Sequence, residues 1–108
     1  VDLPVLTDHG MKVVAGAGEV RHLPLSVNRE LGIERGIWEA AEGVVEDTEV
    51  DELAVIVSGD ATIEFLDGSA PPVELRPGTM LILKEGVRTR WTVRKRLRKL
   101  YQTPWAGD

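Results

Sequence analysis

Two glycine-punctuated stretches decide the fold: Asp51-Glu52-Leu53-Ala54-Val55-Ile56-Val57-Ser58-Gly59 and Arg76-Pro77-Gly78-Thr79-Met80-Leu81-Ile82-Leu83-Lys84-Glu85-Gly86. Each holds a short apolar run between turn signals. Leu53–Val57 is apolar at every position, which predicts a strand covered on both faces. Met80–Leu83 reads as a second buried strand, entered through the Pro77-Gly78 turn.

Working outward, the same punctuation repeats. Gly36-Ile37-Trp38-Glu39-Ala40 and Gly43-Val44-Val45-Glu46 are strand-like upstream. Ala61–Leu66 leads to Asp67-Gly68, a tight-turn pair. Val73-Glu74-Leu75 follows Pro71-Pro72. Val87–Val93 alternates with period two, so Val87, Thr89, Trp91 and Val93 share one face and Arg88, Arg90 and Thr92 the other. Leu97–Gln102 is the last predicted strand. Turns every 8–12 residues with no long helix predict an all-β sandwich or barrel.

Residues 1–32 are less regular. Leu3-Pro4-Val5, Met11–Val14 and Val20–Leu25 read as short strands or an extended arm, broken by Gly10, Gly16 and Gly18. Ser26–Leu31 is expected to form one helical turn. A chain of 108 residues is expected to fold as a single domain, 1–108.

Composition narrows the chemistry. There is no cysteine, which excludes disulfides, thiolate metal sites and a cysteine nucleophile. That fits a reducing compartment, and a cytoplasmic location is expected. No apolar run approaches the ~18 residues of a membrane span, and no basic region precedes an apolar stretch at the start. Neither a membrane association nor a signal peptide is therefore expected. Acidic residues crowd the middle of the chain, and basic ones crowd the end, from Arg88 to Lys99. The net charge of -5 argues against a nucleic-acid partner. The basic tract reads as solvated strand faces and cross-strand ion pairs.

The spacing within the two opening stretches now carries a resemblance. Glu52, six residues and Gly59 resemble the end of the first motif of the cupin family. Gly78, five residues, Lys84-Glu85-Gly86 and Thr89 resemble the second motif. Gly36-Ile37-Trp38-Glu39, Arg90-Trp91-Thr92-Val93 and Arg98-Lys99-Leu100-Tyr101 extend the match over residues 36–101. The chain is similar to small single-domain cupins of the ureidoglycine aminohydrolase-like and ethanolamine-utilisation-like subgroup. The resemblance implies a double-stranded β-helix, the jelly-roll barrel, and a homodimer.

The resemblance also implies where a metal would sit, and the residues there depart from it. A metal-binding cupin supplies two His and a Glu from its first motif and a His from its second. Here those positions fall on Glu46, Thr48, Glu52 and Thr89. Imidazoles suit transition metals, and a threonine hydroxyl is a poor replacement. Shifting the count by one residue brings in Asp47 or Glu49, and no shift brings in a histidine. His9 and His22 lie outside the matched region, and the Asp8-His9 pair reads as surface. No metal and no cofactor are expected.

The expected site centres on Glu52, Thr89 and Trp91, with Glu46, Thr48 and Trp38 beside them. Glu52 pointing into an apolar barrel would be a candidate acid or base. It would otherwise be a structural acceptor for Thr48 or Thr89, or the partner of an arginine. Trp91 and Trp38 are either core packing or a surface on which a ligand stacks. Three functions stay open: a small-molecule-binding barrel in metabolism, a metal-independent isomerase, lyase or hydrolase using Glu52, and a structural module. The polar residues expected inside favour a real cavity, since such groups are costly to bury unpaired. If Glu52, Ala54 and Ile56 point inward, Val55 and Val57 face outward and want cover, which supports a homodimer.

Overall fold

The computed structural model describes residues 3–107; Val1, Asp2 and Asp108, the ends of the 1–108 span, lie outside the described residues. Eight strands follow one another: β1 (Lys12–Gly16), β2 (Val20–Asn28), β3 (Ile33–Ala40), β4 (Gly43–Thr48), β5 (Glu52–Phe65), β6 (Val73–Leu75), β7 (Met80–Leu83) and β8 (Arg88–Pro104). All the ladders are antiparallel. The all-β expectation holds.

Two strands are longer than the sequence suggested. Leu53–Val57 and Ala61–Leu66, read separately, are one strand, β5. Val87–Val93 and Leu97–Gln102 likewise merge into β8. β5 and β8 pair with each other from Leu53↔Gln102 to Phe65↔Thr89, with register breaks between Ile56 and Ala61. The glycine at the break explains why it bends without ending. Gly59 has φ +104, and a Cβ there would lie 2.3 Å from the Arg96 carbonyl oxygen. Only glycine lets the two backbones approach so closely.

That bend makes two sheets out of one ladder. The first half of β5 pairs with β7, and the second half of β8 pairs with β3, which pairs with β2. The second half of β5 pairs with β6, and the first half of β8 pairs with β4, which pairs with β1. The result is a curled double sheet, with β5 and β8 common to both layers. The space between the layers is the core.

Alternation decides what fills it. In β5, Glu52, Ala54 and Ile56 are buried and Leu53 and Val57 are exposed, so this strand is covered on one face only and not on both as its apolar run suggested. In β8, Thr89, Trp91 and Val93 are buried, and so are Leu97, Lys99 and Tyr101. Ile63, Leu75, Leu81 and Leu83 complete the apolar centre.

Residues 3–32 correct the sequence reading in part. Of the two alternatives, short strands hold for Lys12–Gly16 and Val20–Asn28: β2 covers the free edge of β3, and β1 that of β4. The helical turn expected at Ser26–Leu31 is absent, since β2 runs to Asn28. A turn follows, in which the Asn28 side-chain oxygen accepts from the Leu31 N–H at 3.0 Å. Cross-strand pairing with β3 outweighs the weak local helical preference.

Candidate functional site

A cavity of about 310 Å³ opens at one end of the double sheet. Trp38 from β3 and Trp91 and Lys99 from β8 form its inner wall, with Glu52 from β5. Asp47 and Glu49, at and just beyond the end of β4, form another side. His9 and Met11, in the segment before β1, cover part of the opening.

Lys99 is the least expected group. Its alternation with Leu97 and Tyr101 turns it inward, where it is 5% exposed. Its ammonium lies 2.7 Å from Glu52 Oε2, 4.4 Å from the centre of the Trp38 ring and 4.7 Å from that of Trp91. The Glu52 oxygen makes no hydrogen bond of good angle, so charge rather than hydrogen-bond alignment holds this pair. The two indole faces add cation–π attraction, which is strongest for desolvated cations.

Glu49 is held differently. Its Oε2 accepts from the Thr89 hydroxyl at 2.6 Å and from the Trp91 indole N–H at 3.2 Å. The same indole N–H also reaches Thr89 Oγ1 at 3.0 Å. Burial pushes the Glu49 carboxyl above its ordinary value; the Thr89 bond opposes this, and the nearby Asp47 charge reinforces it. Burial raises Asp47 too, against a backbone N–H bond from Thr48 and the pull of Lys99.

A third polar group lines the far side. The Tyr101 hydroxyl donates to Glu34 Oε2 at 2.6 Å and lies in short contact with His22 Nε2. The hydroxyl proton is spent on Glu34, so His22 is the donor in that contact. Burial first, then the Glu34 bond, pushes the Tyr101 phenol upward, and it stays protonated.

The expected site residues fall into place unequally. Glu52, Thr48, Trp38 and Trp91 line the cavity, with Thr48 at its exposed rim. Thr89 is fully buried and acts through Glu49. Thr89 and Glu52 do not touch: their strands are neighbours, but the register puts them at opposite ends of the β5–β8 ladder and so in different layers. Glu46 is a correction. It points away from the cavity and takes both the Nε and an Nη of Arg90 at 2.9 and 2.8 Å. The hydrogen bond from Arg90 holds its carboxyl below the ordinary range. The residues that face inward are Asp47 and Glu49, one position along, because Val45 on the same face is buried. The partner of Glu52 is a lysine, not an arginine or threonine.

His9 is a correction as well, since it lines the cavity instead of the surface, and His22, outside the matched region, lines the cavity too. Neither is free to bind a metal. His9 Nδ1 accepts from the Met11 N–H at 3.1 Å and its Nε2 reaches the Gly18 carbonyl at 3.0 Å. The four positions that a metal would need by resemblance do not fit one. Glu46 faces outward, Glu52 is spent on Lys99, and the Thr89 hydroxyl on Glu49. Among the described residues, no three His, Cys, Asp or Glu side chains converge as a metal site.

Sequence reasoning missed Lys99 by grouping it with the basic tract. The rest of that tract behaves as expected: Arg94 pairs with Asp60 and Glu74, and Arg96 and Arg98 with Glu39. The signal that separates Lys99 is Leu97-x-Lys99-x-Tyr101, a period-two run of inward residues. Among the described residues, no helix is long and apolar enough to cross a membrane.

Solved structures of similar fold are remote in sequence. The EutQ protein of Clostridium difficile superposes with a TM-score of 0.70 at 20% identity, over 85% of this chain and 72% of that one. Ectoine synthase from P. lautus gives 0.70 at 14%, over 86% and 68%. A cupin superfamily protein from Desulfitobacterium hafniense gives 0.62 at 20%, over 80% and 77%. At these identities the likeness is one of fold. No curated protein sequence matches the chain. The model of the EutQ-like cupin domain matches residues 28–101, from the end of β2 through most of β8, so this chain belongs to the EutQ-like cupin domain family.

Proposed function

We propose that the chain is a small-molecule-binding cupin that takes its ligand in the cavity between the layers, without a histidine metal site. The observation that carries this reading is the cavity wall: two tryptophans and a few convergent charged groups around about 310 Å³. Ligand sites of small molecules are concave, partly aromatic, and start at roughly this volume. The bound species is a small polar metabolite. A thermal-shift and NMR screen of small polar metabolites tests the reading. Binders should raise the melting temperature and move the Trp91 indole N–H resonance. Hits that perturb only residues of the outer sheet face would reject it.

A second reading, a metal-independent enzyme, is favoured by one observation. Glu49 is buried beside the cavity with no cationic side chain paired to it among the described residues and a raised carboxyl, which suits a group that exchanges a proton. Glu52 suits that role less, because Lys99 stabilises its charge. In this reading the acid–base group is Glu49, and Glu49→Gln abolishes turnover of a substrate that still binds.

The functional unit in both readings is a homodimer. Leu53, Val57, Met80, Ile82 and Leu100 are exposed on one continuous outer face, where Leu53 is the register partner of Ile82 and Val55 of both Met80 and Leu100. An apolar patch of this kind marks an interaction surface, and a second copy is the partner assigned to it here.

A further inference from the structure

The cavity already holds one alkylammonium group, the end of the Lys99 side chain. It rests between two indole faces with a carboxylate 2.7 Å away. The surroundings that favour this ammonium extend beyond it. Glu52 has Lys99, and Glu34 has the Tyr101 hydroxyl, with His22 Nε2 at 3.6 Å. Asp47 and Glu49 have no ion-pair partner among the described residues. Glu49 is 5% exposed, and its bonds from Thr89 and Trp91 both end on Oε2. Neither bond uses Oε1, and Glu49 lines the cavity, so the second oxygen is the one offered to whatever enters.

We propose that the ligand is a small protonated amine whose ammonium group seats against Glu49 and Asp47. This deepens the small-molecule reading and rests on it. The charge count decides the class. Four carboxylates line the cavity against one lysine and two histidines, so an entering carboxylate meets net repulsion. An entering cation supplies the counter-charge that Asp47 and Glu49 lack. A desolvated carboxylate gains most from a charged donor, because water is no longer there to compensate it. The indole edges of the wall accommodate the short alkyl part of such a ligand.

The pH dependence follows from the groups around Glu49. Asp47 lies on its own segment, Lys99, Thr89 and Trp91 on β8, Glu52 on β5, and His9 across the opening. An alkylamine stays protonated up to about pH 10, so below that only the protein titrates. Amine affinity rises with pH as Glu49 and Asp47 ionise.

The test compares three probes of nearly equal shape on the whole chain: n-propylammonium chloride, sodium propionate and 1-propanol. Total salt is held constant, because exposed charges are screened over about 10 Å at 0.1 M. The readout is the Trp91 indole N–H resonance, which reports the hydrogen bond to Glu49. Propylammonium should shift it saturably and bind at least about tenfold more tightly than either other probe. Glu49→Gln should cost about tenfold in propylammonium affinity, and Asp47→Asn, at a half-buried position, should weaken it in the same sense. Affinity should increase from pH 4 to pH 7. Propionate or propanol binding as well as propylammonium would overturn the inference and leave the small-molecule reading standing. If none of the three moves the Trp91 resonance, the inference falls, and the metabolite screen decides the small-molecule reading separately. The probe comparison on the wild-type chain decides the question even where a variant does not fold.

Discussion

Lys99 and Glu52 form a buried ion pair, and such pairs are sensitive to the loss of one member. Removing either partner leaves an uncompensated charge inside the fold, a change that costs about 3–5 kcal/mol. Lys99→Met and Glu52→Gln should each destabilise the chain by that order in chemical denaturation. The double variant should be much less unstable than the sum, since neither charge then remains. An additive result would mean that the pair is not coupled. Asp47 and Glu49 give the residue scale a second, opposite signature. Their carboxyls lie above the ordinary values of 3.8 and 4.5, so the folded chain holds these protons more tightly than the unfolded chain. Their contribution to stability is present below the ordinary values and is lost as pH rises through the raised ones. Glu49→Gln keeps an acceptor for Thr89 and Trp91 but cannot ionise. Its stability relative to wild type should therefore improve as pH rises from about 4.5 through the raised Glu49 value and level off above it, measured as a difference in denaturation midpoint. Period two showed that Thr89 and Trp91 share a face of β8, and the cupin resemblance supplied that this face points inward. The acids of β4 were misplaced by one residue, and a one-residue slip in a strand exchanges its faces. Lys99 was lost because a charge in a basic run looks solvated, and only its neighbours two positions away mark it as inward.

At the scale of elements, the turns were easier to read than the strands between them. Pro77-Gly78 and Asp67-Gly68 are where they were expected, and β6 and β7 match their predicted bounds closely. What the sequence hid is that Gly59 bends a strand rather than ending it. A glycine before Asp60 reads locally as a turn, and the partner that keeps the strand paired, β8, lies more than 30 residues away. Local patterns carry no information about pairing at that distance. The bend gives a direct test. Gly59→Ala places a Cβ against the Arg96 carbonyl and forces a non-glycine residue to positive φ. Strained positions of this type cost about 1–3 kcal/mol, and the clash adds to that. The variant should lose stability and, because both layers share the bend, should also perturb the Trp91 resonance at a distance. Gly68→Ala is the control. Its Cβ meets nothing within 4 Å, so it should show only the smaller backbone cost.

For the molecule as a whole, the outer apolar face is the feature that the monomer does not resolve by itself. Met80 and Ile82 are 65% and 69% exposed on β7, beside Leu53 and Val57 on β5. The proposed homodimer predicts a sedimenting species of twice the chain mass at micromolar concentration. Ile82→Lys should convert it to a monomer while leaving the Trp91 resonance in place. A wild-type chain that sediments only as a monomer would reject the dimer. The family and the double sheet were readable from motif spacing, whereas the inward face of β5 was not readable from alternation, because Leu53–Val57 is apolar at every position. The long β5–β8 ladder has a further consequence, for the time the chain takes to fold. Its pairs run from Leu53↔Gln102 to Phe65↔Thr89, so even the nearest ends must close a loop of two dozen residues before any pairing rewards it. Neither layer can assemble without this ladder, and no short hairpin can stand in for it. Folding should therefore be slow for a chain of this size, on the order of milliseconds to seconds, with one rate-limiting search for the β5–β8 register, after which the layers and the cavity between them form together.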